Sequence, residues 1–194
     1  DPPDHTSFRK LVNRIFTGRR VAAMEDDIRN IFNAYLDQIV ERGEADLVEE
    51  VTSPFPMDVI SAFLDIPEGD RAQLRSYSDT ILIREDGKME LPQVAAEGMF
   101  AMLQYFIDDL PKRRKNPRNG IIDDLLTLEV DGRSLTEEEL LGFCILFVIA
   151  GHETTTKMVA NAIDLLSRHP DQKRDLANNL DLAPQAVEEV VRFH

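Results

Sequence analysis

Residues 140–156, LLGFCILFVIAGHETTT, decide the fold of this chain. Their first part is apolar on nearly every side, which is typical of a helix in the centre of a protein. A glycine, a histidine, a carboxylate and three threonines then follow in the same segment. A buried polar group costs free energy unless it has a partner, and glycine inside a helix costs about 1 kcal/mol relative to alanine. The combination predicts that residues 150–154 have a role beyond packing.

The flanking sequence indicates one long central helix in an all-helical chain. Thr136 and Glu139 have the spacing of a capping box, and His169-Pro170 ends the pattern. Helical periodicity predicts further helices over residues 6–16, 20–41, 54–64, 68–83, 91–110, 121–128, 170–179 and from 184 onward. We therefore expect a mainly α chain with little or no sheet, in which residues 1–194 form a single helical domain.

Three shorter segments do not follow the helical pattern. Residues 45–48 are short enough to form a strand, and residues 130–133 are typical of an Asp-Gly turn. Residues 112–117 are rich in lysine and arginine. We interpret them as an exposed basic stop, that is, an exposed basic segment at which the preceding helix has ended.

Composition limits the classes of function. The chain has 36 acidic and 22 basic residues and a net charge of −14, so neither nucleic acid nor an anionic membrane is an expected partner. The apolar run of residues 140–150 is too short to span a bilayer. One cysteine allows no internal disulfide, which fits a cytoplasmic protein.

The polar centre of the long helix admits several chemistries. A zinc-protease helix needs a second histidine four residues after His152, where Thr156 stands, and no base is signalled for a nucleophilic threonine. The threonines could instead bond back to carbonyls one turn earlier and bend the helix. That alternative does not explain Glu153. An adjacent Glu153 and Thr154, at a point loosened by Gly151, could hold water and pass protons into a dry pocket.

Two charged pairs lie near the ends of the chain. His5 and Arg9, at i and i+4, form a cationic face suited to a carboxylate, although a solvated basic face is the commoner explanation for any such pair taken alone. Glu189 and Arg192, at i and i+3, would alone be an ordinary surface ion pair.

These motifs together resemble a known family. Ala-Gly-x-Glu-Thr-Thr at residues 150–155 is similar to the distal helix of the haem-thiolate monooxygenases, the cytochrome P450 superfamily. His-Thr-x-x-Arg at residues 5–9 and Glu-x-x-Arg at residues 189–192 occur in the family's order on either side of it. The resemblance covers essentially the whole chain and is closest to soluble bacterial members. It implies the helical middle portion of the cytochrome P450 fold, from helix C through the start of helix K.

The resemblance also implies a role for each motif. Haem b is the expected cofactor and O2 the expected oxidant. His5 and Arg9 would bind the haem propionates, Ala150, Gly151 and Thr154 would lie beside the haem with Gly151 leaving room for oxygen, and Glu153 with Thr154 would form a catalytic proton relay.

The resemblance also implies a substrate pocket and a structural brace. Leu146, Ile149 and Ala150 would line the pocket, residues 77–91 would form its mobile lid, and Glu189 with Arg192 would be the brace.

The family's iron ligand is not among these residues. In the family a cysteine loop follows the Glu-x-x-Arg helix, whereas this sequence contains only Cys144, which we interpret as a small buried hydrophobic residue. We therefore expect an internal fragment that lacks the N-terminal region and the cysteine loop, and no metal ligand in the chain itself. Activity would require the missing loop.

The resemblance implies an enzyme that hydroxylates a small hydrophobic organic substrate. Its electrons would come from a ferredoxin and ferredoxin reductase, docking at the basic cluster of Lys10, Arg14, Arg19 and Arg20. The alternative is a truncated, non-catalytic helical module that binds a ligand or partner without haem. A separate chain would expose an apolar flank of the central helix and could dimerise or swap domains.

Overall fold

The computed structural model describes residues 4–118, 120–130 and 132–193, and these residues are mostly helical. The helices and strands are α1 (Asp4–Ile15), α2 (Gly18–Ala23), α3 (Glu25–Val40), a π-helix (Val48–Thr52), α4 (Pro54–Leu64), α5 (Glu68–Ile81), α6 (Gln93–Lys115), α7 (Ile121–Thr127), β1 (Glu129–Val130), β2 (Arg133–Ser134), α8 (Glu137–Arg168), α9 (Pro170–Asn178), a 3-10 turn (Leu180–Leu182) and α10 (Ala183–Phe193). The mainly α prediction is confirmed. Residues 1–3, Asp131 of the predicted turn and His194 lie outside the described residues.

The central helix is α8, and its predicted ends are confirmed. The Thr136 hydroxyl accepts a hydrogen bond from the Glu139 amide at 3.2 Å, and the Glu139 carboxylate accepts one from the Thr136 amide at 3.0 Å. These bonds satisfy two amide groups that the first turn of a helix leaves without partners. The Thr136 amide, together with Arg133, holds the pKa of Glu139 below its usual range. The helix ends at Arg168, directly before His169-Pro170.

The core lies between α8 and helices α4 to α7. Buried apolar side chains from these elements form one cluster: Met57, Ile60, Leu64, Leu74, Ile81, Met102, Phe106, Leu110, Ile121, Ile122, Leu125, Leu140, Phe143, Cys144 and Val148. Only 22% of the most apolar 18-residue window of α8 is buried, although the sequence predicted a helix surrounded by protein. The helix therefore packs on one side, and its other side is exposed, as expected for an apolar flank.

Length and composition alone would allow α8 to cross a membrane, and it is the single such helix in the described part of the chain. This is weak evidence for a membrane span, because the core helix of a soluble protein passes the same test. Here α4, α5, α6 and α10 all pack against α8.

Two predicted elements near the N-terminus are wrong. The helix expected over residues 20–41 is two helices that meet at Met24, and three acidic residues at the start of α3 favour a new helix N-terminus there. The strand expected over residues 45–48 leads into the π-helix. The Asp46 side chain accepts bonds from the amides of Val48 at 3.0 Å and Glu49 at 3.1 Å, which supports a helical start.

The predicted exposed basic stop at residues 112–117 is right for most of its side chains but wrong for Arg113 and for the end of the helix. Helix α6 continues through Pro111 to Lys115, and Arg113 is completely buried. The Arg113 guanidinium donates to Asp109 Oδ2 at 2.5 Å and to the carbonyl oxygen of Asp65 at 2.9 Å. The basic residues beside Arg113 in sequence predicted an exposed side chain. Its guanidinium is instead stabilised in the core by Asp109 of the same helix and by partners from other elements.

Helices α5 and α6 form a close pair. A methyl group at Gly98 of α6 would lie 2.2 Å from Oγ1 of Thr80, so glycine is what permits this approach. The Tyr105 hydroxyl of α6 also donates to Asp70 of α5 at 2.8 Å, and burial together with this carboxylate raises the tyrosine's pKa. Residues 83–91 between the two helices are exposed. Their predicted movement as a lid stays a prediction.

Candidate functional site

Several predicted site residues share the exposed side of α8. Leu146, Ala150 and Thr154 follow one another at intervals of four residues, so they lie on one face of the helix. All three are exposed, and the Leu146 side chain is 60% exposed. Gly142 continues the row, and no atom lies within 4 Å of where its side chain would be. We call these four residues the α8 stripe; Ile149 lies beside it, half-buried against the core.

Thr154 is bonded within the helix. Its hydroxyl donates to the Ala150 carbonyl oxygen at 2.5 Å, and the Thr156 hydroxyl donates to the His152 carbonyl oxygen at 3.0 Å. The back-bonding predicted as the structural alternative therefore occurs at both threonines. The Thr154 hydroxyl retains its acceptor capacity, and it faces the exposed side of the helix.

Glu153 lies at the edge of the α8 stripe and pairs with the next turn. The Lys157 ammonium lies 2.5 Å from the Glu153 carboxylate, whose side chain is 33% exposed. Within the described residues, no hydrogen bond joins Glu153 to Thr154. The structure thus brings the two relay residues to adjacent positions on the same surface, while the relay itself stays a prediction.

Gly151 faces the protein, away from the α8 stripe. A methyl group there would lie 2.9 Å from Cδ1 of Ile60 and 3.2 Å from Cγ1. The absence of a side chain therefore lets α8 lie close to α4. The space that a side chain at Gly151 would occupy is next to Ile60, so it is not the space predicted for oxygen. That Gly151 lies beside a cofactor stays a prediction.

His152 is a site residue that the sequence did not identify. Its side chain is 2% exposed, and its Nε2 lies 3.1 Å from the Ser53 carbonyl oxygen. A carbonyl oxygen only accepts, so Nε2 carries the proton, and Nδ1 accepts from the Ser78 hydroxyl at 3.2 Å. Burial lowers the pKa of His152, although the Asp79 carboxylate at 3.6 Å opposes this. Burial therefore favours the neutral ring at neutral pH.

The predicted cationic pair lies on an exposed face of α1. His5 and Arg9 are both exposed, and neither forms an ion pair with another described residue. Phe16, just after α1, holds this helix against α8, because its ring lies 6.2 Å from Phe143 and 5.1 Å from Phe147. The pair is thus presented on an element that packs against the central helix.

The predicted pair of Glu189 and Arg192 is an ion pair on α10, and its role as a brace stays a prediction. Arg192 Nη2 donates to Glu189 Oε2 at 2.7 Å, and Arg192 Nε lies 3.1 Å from both carboxylate oxygens. These bonds hold the pKa of Glu189 below its usual range. Both side chains are exposed, so the pair braces nothing beyond its own helix within the described residues.

Cys144 is a core residue. It is fully buried among apolar side chains, and burial raises the pKa of its thiol to about 12. Among the described residues, no group of three His, Cys, Asp or Glu side chains could hold a metal ion.

The predicted basic cluster is only partly free. Lys10, Arg14 and Arg19 are exposed on α1 and α2. The Arg20 guanidinium instead forms an ion pair with the Asp124 carboxylate of α7. Arg20 is therefore committed to holding α2 against α7.

A cavity of about 180 Å³ lies apart from the α8 stripe, between α3, α4 and α5. Three of its polar side chains pair with one another, because the Tyr35 hydroxyl donates to Asp58 at 2.6 Å and Arg71 lies 3.6 Å from the same carboxylate. Glu68 and Arg75 also line the cavity.

Comparison with known proteins adds an independent observation. A family model described as cytochrome P450 matches residues 88–190. A putative cytochrome P450 123 of Mycobacterium tuberculosis is 36% identical over 193 residues, which cover 100% of this chain and 48% of the relative. The cytochrome P450 monooxygenase PikC of Streptomyces venezuelae is 37% identical over 196 residues, covering 100% of this chain and 46% of the relative.

Solved structures agree. The LnmA cytochrome P450 hydroxylase from the leinamycin biosynthetic pathway of Streptomyces atroolivaceus superposes with a TM-score of 0.90 at 32% identity. That match covers 99% of this chain and 49% of the solved chain. The chain spans about half the length of the curated relatives it matches.

Proposed function

Since this chain belongs to the cytochrome P450 family, we propose that it forms the distal, substrate-facing part of a haem-thiolate monooxygenase. The observation that carries the proposal is the α8 stripe, an exposed apolar row that ends in the Thr154 hydroxyl. This row lies within the segment that the family model matches. A helix face of this kind is suited to cover a flat apolar cofactor and a small apolar substrate.

The residues present fit one face and the charged edge of haem. Gly142 and Ala150 have little or no side chain on the exposed face, and Leu146 adds an apolar contact. His5 and Arg9 are exposed cations suited to the propionate groups. The iron's thiolate would come from outside the described residues, because the Cys144 thiol is buried and protonated. When bound, haem supplies the reductive activation of O2.

The chain's own residues would handle protons. Rotation of the Thr154 side chain would move its hydroxyl from the Ala150 carbonyl oxygen toward the exposed face, where it could hold a water molecule. Glu153 is partly exposed, so its carboxyl group could take a proton from solvent and pass it to Thr154 Oγ1 while the Thr154 hydroxyl gives its own proton to the water molecule that it holds. Release of Glu153 from Lys157 would accompany that transfer.

The proposal also covers the substrate and the redox partners. A small hydrophobic organic molecule would contact Leu146, Ile149 and Ala150, and the protein would add one oxygen atom to it. Electrons would come from a ferredoxin and its reductase in the cytoplasm, with an acidic partner docking at Lys10, Arg14 and Arg19. The relatives named above are cytochromes P450, so they favour the enzyme over a haem-free binding module.

The reduced, carbon-monoxide-bound spectrum of the complete protein tests this proposal. We expect the absorption band of a thiolate-ligated haem, and we expect Cys144→Ala to retain it because that thiol is not the ligand. A complete protein without bound haem, or with the spectrum of a haem lacking a thiolate, would contradict the proposal and favour the haem-free module.

A further inference from the structure

His152 connects three elements at the side of α8 opposite to the α8 stripe. Its ring contacts Ser78, which lies in α5 and is 74 residues away in sequence. It also contacts the carbonyl group of Ser53, which precedes α4 and is 99 residues away. The imidazole, 2% exposed, is thus the point where α8 is hydrogen-bonded to both neighbouring segments.

Both hydrogen bonds are directional and shielded from water. The ring donates to Ser53 and accepts from Ser78, so a change in the rotation of α8 about its axis would break at least one of them. Leaving a buried donor or acceptor unpaired costs about 1–3 kcal/mol, which resists such rotation. On the same side of the helix, close contact of Gly151 with Ile60 limits the separation of α8 from α4.

The residue of α5 that His152 contacts, Ser78, lies within the predicted lid of residues 77–91. Helix α5 is held against α6 by the close approach of Gly98 to Thr80 and by the Tyr105–Asp70 hydrogen bond. Ser78 lies between Asp70 and the end of α5. The bond from Ser78 to His152 therefore joins the α5–α6 pair to α8 directly beside Glu153 and Thr154.

We propose that His152 is a positioning residue: by bonding Ser78 and Ser53 it fixes the rotation of α8, so that Glu153 and Thr154 keep their places at the exposed face. A displacement of α5 would be transmitted through Ser78 to that pair. This role rests on the proposed monooxygenase function, since it concerns the proton-handling residues. His152 itself faces away from the reacting side and is not a catalytic residue.

The charged groups around His152 are consistent with a neutral ring that is hydrogen-bonded to Ser78 and Ser53. Asp79 and Arg75 of α5, Glu49 of the π-helix and Glu153 of α8 are the charged groups that act on this site. The Asp79 carboxylate at 3.6 Å lies outside hydrogen-bonding distance of Nδ1. The serine hydroxyl at 3.2 Å is the nearer partner.

Substitutions in the complete, haem-loaded protein separate the hydrogen bonds from the packing. His152→Phe keeps a buried ring and removes both bonds, whereas His152→Gln keeps one donor and one acceptor on the same side chain. Ser78→Ala removes one bond from outside α8. His169→Gln, at an exposed histidine just after α8, is the matched control.

Two measurements report the role. Amide hydrogen exchange in α5 measures the link, and the peroxide formed per NAD(P)H consumed measures proton delivery. We expect His152→Phe to speed exchange in α5 by about five- to tenfold and to raise the peroxide fraction, with a smaller change in Ser78→Ala. His152→Gln should restore both values, and His169→Gln should change neither.

Each other outcome is decisive. Faster exchange in His152→Phe with an unchanged peroxide fraction would show a purely structural histidine and overturn the proposal, as would no change in either value. If His152→Phe does not fold, an unchanged peroxide fraction in Ser78→Ala would overturn it. A wild-type protein without the thiolate-haem band would overturn the proposed function and this role together, whereas a normal band with unaffected variants would overturn this role alone.

Discussion

The guanidinium of Arg113 lies 3.3 Å from the carboxylate of Asp123, and both side chains are buried. Asp109 also binds this guanidinium, and its second oxygen accepts from Arg118 at 2.9 Å. One buried positive charge and two buried negative charges therefore lie together, with the partly exposed Arg118 at their edge. The network joins the C-terminal part of α6 to α7, and the Asp65 carbonyl oxygen joins it to the end of α4.

Replacing Arg113 with methionine should destabilise the protein by about 3–5 kcal/mol, because Asp109 and Asp123 would remain buried without their shared cation. Arg114→Met is the matched control. Arg114 is exposed and pairs with Glu137 at 3.2 Å, so its loss should cost at most about 1 kcal/mol. Urea denaturation measures both values, and equal costs would contradict the buried network.

The sequence predicts local features of this fold better than buried polar contacts. The start of α8 is predictable because the Thr136–Glu139 capping box involves residues three apart. Arg113 is mispredicted because its neighbours in sequence are basic, whereas two of its partners, Asp65 and Asp123, are 48 and 10 residues away. Residues 45–48 are short enough for a strand, and the sequence does not show that the Asp46 side chain bonds two following amides.

The candidate site divides in the same way. Leu146, Ala150 and Thr154 share a face because of helical spacing, which the sequence contains. The neighbours of Gly151 and His152 belong to other elements, so the sequence could not show that Ile60 contacts the first or that Ser78 binds the second. The sequence did contain one indication that His152 is buried, because helical spacing places it on the side of α8 opposite Ala150.

Gly151→Ala should destabilise the protein by about 1 kcal/mol, because overpacking against Ile60 exceeds the gain in helix propensity. Ile60→Val removes Cδ1, the atom 2.9 Å from the new methyl group, so the double variant should recover most of the loss. Gly69→Ala, at an exposed position of α5 with no atom within 4 Å, should be neutral or stabilising. Thermal unfolding checks all three, and equal effects at both glycines would refute the contact.

Thr154→Ala in the complete protein should uncouple oxygen consumption from product formation. Loss of the hydroxyl removes the group that we propose holds water at the exposed face, so product per NAD(P)H should fall by about tenfold or more and peroxide should rise. Thr156→Ala removes an equivalent back-bond to the His152 carbonyl oxygen on a half-buried side of α8 and should leave coupling unchanged. Unchanged coupling in Thr154→Ala would contradict the relay.

The neutral state of His152 should make stability depend on pH. Burial lowers its pKa in the folded protein from the ordinary value of 6.5, so below pH 6.5 the unfolded chain binds a proton that the folded chain does not. The stability that depends on a neutral His152 is therefore present above pH 6.5, declines as the pH falls below it, and levels off below the folded pKa. His152→Gln should lack this slope in urea denaturation between pH 7.5 and 5, while His169→Gln should retain it.

Charge reversal on α1 and α2 should distinguish a docking surface from a solvated face. Lys10→Glu, Arg14→Glu and Arg19→Glu place negative charge where an acidic ferredoxin would approach, so each should slow reduction by about two- to tenfold at low salt and weaken its salt dependence. Lys173→Glu on α9 makes the same change in net charge at another exposed position and should have little effect.

Arg20→Glu should act mainly on stability, because it replaces the ion pair with Asp124 by two like charges. Stopped-flow reduction across a range of ionic strength measures the rates, and equal slowing by Lys173→Glu would show that net charge, rather than a docking surface, controls them.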